Sequence, residues 1–486
     1  MRCGGCLVDI HCTISFFAIP VRPLGVLSNM KITFQRTVVL LACAATTPVI
    51  AQTKLDEPQS GKSPRAMTRL VWQDDSDHTV RWGDLTRDAK GISITPQMVA
   101  GFPKLDTAQQ SLVQMEESNG LVVVGVHDVD NGNFQSGWVA MNAGVVEEEH
   151  GNHSHWHYEK PPAVTVSQLG KDQGNPAHVY EYQGDIFLAN DKKNGFTVLP
   201  SMALQKSPSP SAARFYPGGG NHITLAAVDR KVCYATWADR DGDNQGRVDV
   251  VPISSDTGRS GYQIKLPSGG LHGATSNSGR VFFAPSDGIC WVDADVALAK
   301  NANTAEVNHL SLGDDPVTSK PMRTGAFANH ENFVLFTTGA NQAASLCMID
   351  AKSPKPTVMK LPVPTIEGLS LTTPQCVKTH SGKHYAFLFS DRRGSEAAES
   401  LTIVDLDPNG DGNLADAKVA KTMPVGASKI VGHGGHHEVC FSANRRLACI
   451  TNPGEGSIWI MSLGNLEFES KNQVNGVPTR ILAIGG

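Results

Sequence analysis

A recurring strand–turn–strand unit is the feature of this sequence that most restricts its fold. One copy spans residues 175–190, a second spans 221–237 and a third spans 271–284. In each copy a short strand is followed by a turn and by a second strand rich in aromatic and β-branched residues, which favour sheets. The copies begin about 45–65 residues apart, which is the spacing of blades in a β-propeller.

Further copies of the unit set the expected number of blades. Four of them begin near these residues: Gln110, Arg323, Thr373 and His436. We therefore predict an all-β fold, a single β-propeller over residues 68–486 with seven blades. The strand near Thr68 is expected to close the ring with the last blade, because closure removes exposed sheet edges.

The segment before the repeats has the pattern of processing sequence. Residues 1–29 show no periodicity and precede an internal Met30, so we interpret them as a wrongly assigned upstream extension; a genuine extension is the alternative. Residues 30–51 have the charged start, apolar run and small-residue end of a signal peptide, and 52–67 are predicted to be a polar linker. We expect a periplasmic or secreted protein after cleavage near Ala51. The apolar run is too short to span a membrane.

Composition and missing motifs narrow the function. The 42 basic and 47 acidic residues give a net charge of -5, which leaves no basic excess to bind nucleic acid. We find no nucleotide-binding glycine loop, no Gly-x-Ser-x-Gly elbow and no haem-attachment motif. Cys440 and Cys449 lie symmetrically about a turn at 443–446, so an exported chain could join them by a disulfide.

The first metal-ligand pattern is the His-rich segment 147–157, with the sequence EEEHGNHSHWH. Its four candidate ligands are His150, His153, His155 and His157. Alternate side chains of an extended segment project to the same side, so these imidazoles can converge on one ion. Imidazole and carboxylate ligands suit zinc, copper or nickel. A solvated loop without a ligand is the alternative.

The second pattern is one of position along the repeat. Histidines stand at the start of the first strand in four copies: His178, His222, His272, and His436 or His437. In a propeller the first strand lines the central channel, so these side chains are expected to surround one mouth of it. We predict that they bind a metal ion there. Hydrogen-bonded channel histidines are the alternative.

These motifs resemble those of the periplasmic zinc metallochaperones of the AztD type, seven-bladed propellers that deliver zinc to the solute-binding protein of an ABC transporter. The resemblance covers most of the chain after Ala51 and rests on these segments: 149–157, 176–179, 220–222, 270–273 and 434–437. It implies zinc at the channel mouth, a second and more labile site in the His-rich segment, and such a solute-binding protein as partner. The family's cysteines beside the Leu-His-Gly segment are replaced here by Gly270 and Ala284, so this sequence lacks a disulfide there.

Two acidic loops match calcium-binding patterns. The better match has the candidate ligands Asp407, Asn409, Asp411, Asn413 and Asp416. A looser match spans residues 239–246. Calcium would stiffen such a loop, but Asp, Asn and Gly are equally typical of hairpin turns without a metal.

Together the patterns favour an exported zinc-binding protein that acts as a metallochaperone. The alternative is a metal-dependent propeller enzyme, a hydrolase, lyase or copper oxidoreductase, that uses the same histidines. A catalytic metal needs an open coordination position and a nearby general base. The only acidic residue beside the histidine motifs is Glu438, which is expected to alternate away from the channel. A propeller scaffold for protein partners is the third interpretation.

Overall fold

The fold is a β-propeller built almost entirely from antiparallel strands. The computed structural model describes residues 65–151, 154–254, 260–392, 397–430 and 436–486. Within these ranges the strands form eight sheets of four or five strands and one separate two-stranded ribbon. The predicted all-β propeller is confirmed, whereas the predicted count of seven blades is wrong. The expected upstream extension, signal peptide and most of the linker lie outside the described residues.

The strands are named here in chain order. Blades 1 and 2, with the ribbon β8–β9 that interrupts blade 2, contain β1 (Ala66–Asp74), β2 (Thr79–Asp88), β3 (Gly91–Ile94), β4 (Gln97–Met98), β5 (Gln110–Ser118), β6 (Leu121–Asp128), β7 (Ser136–Asn142), β8 (Val146–Glu149), β9 (Ser154–His157) and β10 (Ala163–Gly170). Blades 3 to 5 contain β11 (Pro176–Tyr182), β12 (Asp185–Asn190), β13 (Gly195–Pro200), β14 (Arg214–Pro217), β15 (Leu225–Val228), β16 (Val232–Thr236), β17 (Arg247–Pro252), β18 (Tyr262–Lys265), β19 (Ala274–Asn277), β20 (Arg280–Phe283), β21 (Ile289–Asp293) and β22 (Asn308–Leu310).

Blades 6 to 8 follow, and a last strand returns to blade 1. They contain β23 (Ala328–His330), β24 (Phe333–Thr338), β25 (Ser345–Asp350), β26 (Val358–Pro362), β27 (Leu369–Leu371), β28 (Gln375–Lys378), β29 (His384–Arg392), β30 (Ser400–Asp405), β31 (Lys418–Pro424), β32 (Val439–Phe441), β33 (Leu447–Asn452), β34 (Ser457–Ser462), β35 (Glu467–Gln473) and the returning strand β36 (Pro478–Ile484). Helix in the described part of the chain is limited to α1 (Ser201–Lys206) and the 3-10 turns Asp191–Lys193, Pro210–Ala212, Asn341–Ala343, Leu414–Asp416 and Pro453–Glu455. None of these helical segments has the length and apolar character needed to cross a bilayer.

One strand of each blade faces the propeller axis. These inner strands are β36, β5, β11, β15, β19, β23, β28 and β32. Each contacts the inner strand of the next blade, and β36 contacts β5, so the ring is closed. The inner strands all run along the channel in the same direction. We name the end of the channel where they begin the upper mouth and the end where they finish the lower mouth.

Blade 1 is the blade that a count of the sequence repeats misses. Its inner strand β36 pairs antiparallel with β1, with Val71 opposite Leu482, and its other strands precede Gln110. Because its strands come from both ends of the described chain, blade 1 contains no continuous copy of the repeat. The strand near Thr68 therefore closes the ring inside blade 1, since blade 8 is already complete with β32–β35.

The hydrophobic core lies between neighbouring blades. Strand β6 is almost wholly buried because it occupies the middle of blade 2 and packs against a blade on each face. The outer strand β35 instead alternates exposed and partly buried residues, as expected for a strand with one solvated face. Trp72 and Ile458, each fully buried, belong to the cluster that joins blades 1 and 8. Burying side chains of this size stabilises the closure by about 1.5–3 kcal/mol each.

The six cysteines of the described residues are all free. Cys440 and Cys449 are nevertheless directly opposite each other on β32 and β33. The expected hairpin therefore exists, with two buried thiols facing across it.

Candidate metal centre

Three of the predicted ligands meet at the upper mouth. His178 lies near the start of β11, and His222 and His272 lie in the loops just before β15 and β19, so they belong to three consecutive blades. The Nε2 atoms of His178 and His222 are 3.0 Å apart. The ring of His222 lies 4.7 Å from that of His178 and 5.0 Å from that of His272, measured between centroids, and the third separation is 6.3 Å. We name these three residues the mouth cluster.

The backbone before the loop histidines is shaped by residues that accept a left-handed conformation. Asn221 has φ of 65° and immediately precedes His222, and Gly270 has φ of 67° two residues before His272. Asn and Gly adopt this region at little cost, whereas a β-branched residue would be strained. The chain can therefore turn at the channel mouth and present the imidazoles inward.

A chain of hydrogen bonds fixes the tautomers of two of these histidines. The amide oxygen of Gln114 accepts the backbone N–H of Val179 at 3.0 Å, so the Gln114 nitrogen faces His178 Nδ1, 3.1 Å away, and donates to it. Neutral His178 therefore carries its proton on Nε2 and donates it to His222 Nε2. His222 in turn donates from Nδ1 to the carboxylate of Asp191 at 2.9 Å.

The carboxylate of Asp191 and the carbonyl of Gly325 are well placed to accept hydrogen bonds from the mouth cluster. Asp191, in the turn after β12, accepts the backbone N–H of Ile223 with its second oxygen at 2.9 Å, so its carboxylate is fixed against blade 4. His272 Nδ1 lies 3.1 Å from the carbonyl oxygen of Gly325 and must donate to it. An oxygen acceptor on Nδ1 is the usual support of a histidine that binds metal through Nε2.

The electrostatics keep His178 uncharged. Burial, with smaller contributions from His222 and His272, lowers the pKa of His178 to about 3. Its imidazole is therefore neutral at physiological pH. Deeper in the channel, burial and the nearby Glu438 raise the pKa of Glu116 to about 8. Glu438 itself accepts hydrogen bonds from Arg480 at 2.9 Å and from Gln375 at 3.1 Å, both on inner strands, so the expectation that it alternates away from the channel is wrong.

His437 does not join the mouth cluster but lies in a buried network between blades 7 and 8. Among the described residues, Asp391, Glu399 and His437 are the only three candidate ligands whose ligand atoms lie within 4.8 Å of one another. Yet His437 donates from Nδ1 to Asp391 at 2.8 Å and from Nε2 to the carbonyl of Gly426 at 2.7 Å. Burial alone would lower the pKa of His437, but the bond to Asp391 raises it. An imidazolium with both nitrogens donating has no lone pair for a metal, so this is an ion pair.

His436 belongs to the same network. Its backbone N–H donates to Asp391 at 2.7 Å, and its Nδ1 lies 3.0 Å from the hydroxyl of Ser428. Its Nε2 is buried and has no hydrogen-bond partner among the described residues. The structure thus places His436 and His437 apart from the three histidines that it brings together.

The His-rich segment forms the exposed ribbon β8–β9. His155 is the register partner of Glu148, whose carboxylate oxygens lie 2.9 Å from His157 Nε2 and 3.4 Å from His150 Nε2. The rings of His150 and His155 are 5.0 Å apart. His153 lies outside the described residues. Three of the four predicted ligands thus lie on one ribbon around a shared carboxylate.

The ribbon and the mouth cluster lie at opposite ends of the propeller. The ribbon joins the end of β7 to the start of β10, and β7 runs parallel to the inner strand β5, so the ribbon leaves from the lower face. Tyr158, just after the ribbon, donates to the carbonyl of Met67 at 3.2 Å, beside the final residues of β36. An inner strand of seven residues spans about 20 Å. The two histidine sets therefore cannot share one ion.

The calcium-like loop has the hydrogen bonds of an Asx-rich turn. The carboxylate of Asp407 accepts the backbone N–H groups of Gly410, Asp411 and Gly412 at 2.8–3.1 Å. Asp411 accepts the N–H of Asn413, whose side chain caps the turn Leu414–Asp416. The loop is thus held in an Asx-rich turn by backbone amides, and calcium binding there stays a prediction.

Gln114 and Asp191 are not among the site residues predicted from the sequence. Gln114 has one sequence signal, because Gln375 lies at the equivalent place on β28 and makes the same pair of bonds, to Val439 N–H and to Glu438. Asp191 has none beyond its place after a strand, because its partner is 31 residues away in the next blade.

Comparison with known proteins agrees with this architecture. No protein-family model and no curated protein matches the sequence. Among solved structures, apo AztD from Citrobacter koseri aligns with a TM-score of 0.57 and 16% identity, over 87% of this chain and 99% of that one. The chain is similar to AztD. A second crystal structure of Citrobacter koseri AztD aligns with the same TM-score and 15% identity, over the same shares. At these identities the similarity shows the fold, and at that level the resemblance inferred from the sequence is confirmed.

Proposed function

We propose that this protein is an exported zinc-binding propeller that acts as a metallochaperone, holding zinc at the mouth cluster and passing it to a transport partner. The observation that carries the proposal is the convergence of His178, His222 and His272 from three blades, with oxygen acceptors on Nδ1 of the last two. The resemblance to AztD-type metallochaperones supports zinc as the metal, the periplasm as the location and a zinc ABC-transporter solute-binding protein as the partner.

The spacing of the rings suits one zinc ion. Three imidazoles bound to a tetrahedral zinc place their ring centroids about 5.2 Å apart. The separations here are 4.7, 5.0 and 6.3 Å, so only His272 and His178 must approach each other. Zinc would take the place of the proton between His178 and His222, which moves to His178 Nδ1, and because zinc binds only neutral imidazoles its binding weakens in acid.

The surroundings of the cluster favour carrying over catalysis. Asp191, the carboxylate in contact with the cluster, is engaged by His222 and by the N–H of Ile223, which makes it a positioning group rather than a general base. Three protein ligands leave the fourth zinc position open. A ligand from a partner protein can enter there before the histidines release the ion.

The ribbon β8–β9 supplies the second, more weakly bound zinc in this proposal. Its histidines are exposed and share Glu148, whereas the mouth cluster is fixed by separate blades. Fixing these exposed side chains around an ion costs about 0.5–1.5 kcal/mol for each side chain immobilised. The ribbon is therefore suited to capture and rapid exchange.

Zinc stoichiometry and affinity, measured by competition with a chromogenic chelator, test the proposal. One variant carries His178→Ala and His222→Ala, and the other carries Ala at positions 153, 155 and 157. The first variant should lose tight zinc, and the second should keep one tight zinc but transfer it more slowly to a zinc-free solute-binding protein. His309→Ala, which changes a histidine paired with Asp287 elsewhere, is the control.

Two outcomes would contradict the proposal. If the ribbon variant loses all zinc while the mouth variant retains it, the two sites are assigned in the wrong order. If neither variant changes zinc retention, the protein is not a zinc carrier, and the scaffold interpretation replaces this one.

A further inference from the structure

A second pair of histidines faces each other at the lower mouth. His330 is the last residue of the inner strand β23, and His384 is the first residue of β29 in the next blade. The Nε2 atom of His330 lies 2.8 Å from Nδ1 of His384, and the rings are 5.0 Å apart at 83°. His330 is only 7% exposed. Both residues lie at the opposite end of the channel from the mouth cluster.

A carboxylate lies beside this pair. Glu331 follows His330 directly, and its charge acts on both imidazoles. Its side chain is 47% exposed and pairs with Lys378 at 2.9 Å. An exposed ion pair of this kind contributes little stability, so Glu331 can turn towards the histidines at little cost.

We propose that His330, His384 and Glu331 form a divalent transition-metal site that is separate from the mouth cluster. Two nitrogen ligands bound at about 2.0 Å and at right angles to each other are about 2.8 Å apart, and this is the separation observed. The pair is thus spaced for Cu²⁺ or Ni²⁺, and a small opening would admit tetrahedral Zn²⁺. Water would complete the coordination.

The charges at this position favour a cation. The two facing nitrogens are joined by an N–H···N hydrogen bond, so one of them is unprotonated and has a lone pair to donate. Glu331, the carboxylate that follows His330, is paired with Lys378. A metal ion would displace the proton between the two imidazoles to the other nitrogen of the ring that carries it, and the charge of the ion would attract Glu331.

The competing explanation is a hydrogen bond that simply joins blades 6 and 7. To separate the two, the test uses the full chain with Ala at positions 150, 153, 155, 157, 178 and 222, which removes the ribbon histidines and two of the three histidines of the mouth cluster. Into this background His384→Gln is introduced, which retains a hydrogen-bonding side chain. His380→Ala, which changes a lower-face histidine bonded to Arg446, is the matched control.

Each protein is titrated with Cu²⁺ alone and examined by electron paramagnetic resonance. We expect the background protein to bind Cu²⁺ with hyperfine coupling from histidine nitrogens, His384→Gln to lose at least about tenfold in affinity, and His380→Ala to match the background. Absence of histidine-bound copper in the background, or equal binding by His384→Gln, would show that the pair is only a hydrogen bond. Because every protein in the test lacks the mouth cluster, the result is independent of the zinc-carrier proposal.

Discussion

Replacing Gln114 by Glu is expected to tighten zinc binding at the mouth cluster. In the native arrangement the Gln114 amide donates to His178 Nδ1, which forces the proton of His178 onto the nitrogen that zinc needs. A glutamate has only acceptor oxygens. One can keep the bond from Val179 N–H and the other can accept from a protonated His178 Nδ1, which leaves Nε2 free for the metal.

The size of the effect follows from the bonds that zinc must break. In the native protein His178 must shift its proton to Nδ1, and Gln114 must rotate and give up the bond from Val179. That is one or two hydrogen bonds at about 0.5–1.5 kcal/mol each. A glutamate side chain at this position would avoid this cost and also make His178 more basic. We expect a gain of about 10–100-fold in zinc affinity, or about 1.4–2.8 kcal/mol.

Zinc affinity is measured by competition titration against a chelator. The chains carry Ala at positions 153, 155 and 157, so that the result reports zinc bound at the mouth cluster. The control is Gln375→Glu, which makes the same change at the equivalent strand position, where the amide donates to Glu438 rather than to a histidine. It should leave the zinc affinity unchanged. The variant must have the same unfolding temperature as the native protein. If it then binds zinc no more tightly than the native protein, Gln114 does not control the His178 tautomer in the way inferred here.

Three further predictions concern stability and thiol chemistry. His437→Ala should lower the free energy of unfolding in urea by about 3–5 kcal/mol without changing zinc stoichiometry, because it removes the buried imidazolium beside Asp391. The melting temperature of Glu116→Gln minus that of the native protein should increase as the pH rises from about 5 to about 9. The raised pKa of Glu116 means that the folded native chain must hold a proton that the unfolded chain has released, so the native protein loses stability over this range. A difference that does not change with pH would refute this. Refolding from urea with glutathione disulfide should join Cys440 to Cys449, which are directly opposite on β32 and β33 but buried in the folded chain, and peptide mapping under non-reducing conditions would detect the link or its absence.

The parts of the fold that could be predicted are those that lie in one continuous segment. The unit around His178 contains an inner strand, a turn and a buried second strand in sequence, so its period and the position of its histidine are both visible. Blade 1 joins Val71 to Leu482 across the whole chain, and no local period can reveal that pairing. The count of seven was wrong for this reason.

The same limit applies to the candidate site. His222 and His436 both stand three residues before the first strand of a blade, so the repeat pattern predicts the same position for both. Asp391, 45 residues earlier, binds the backbone of His436 and draws it into a buried network. Contacts between blades decide which histidines reach the mouth, and those contacts involve side chains, such as Asp191, that have no periodic pattern.

The two proposed zinc sites lie on opposite faces of the propeller. This placement decides whether a zinc donor and a zinc acceptor can bind the protein at the same time. A protein that gives up zinc to the ribbon β8–β9 and a protein that takes zinc from the mouth cluster would approach different faces, about 20 Å apart along the axis. They need not exclude each other, so both can be bound to one propeller at the same time. Raising the concentration of the acceptor should then leave the affinity for the donor unchanged, whereas a carrier with one shared face would show competition between them.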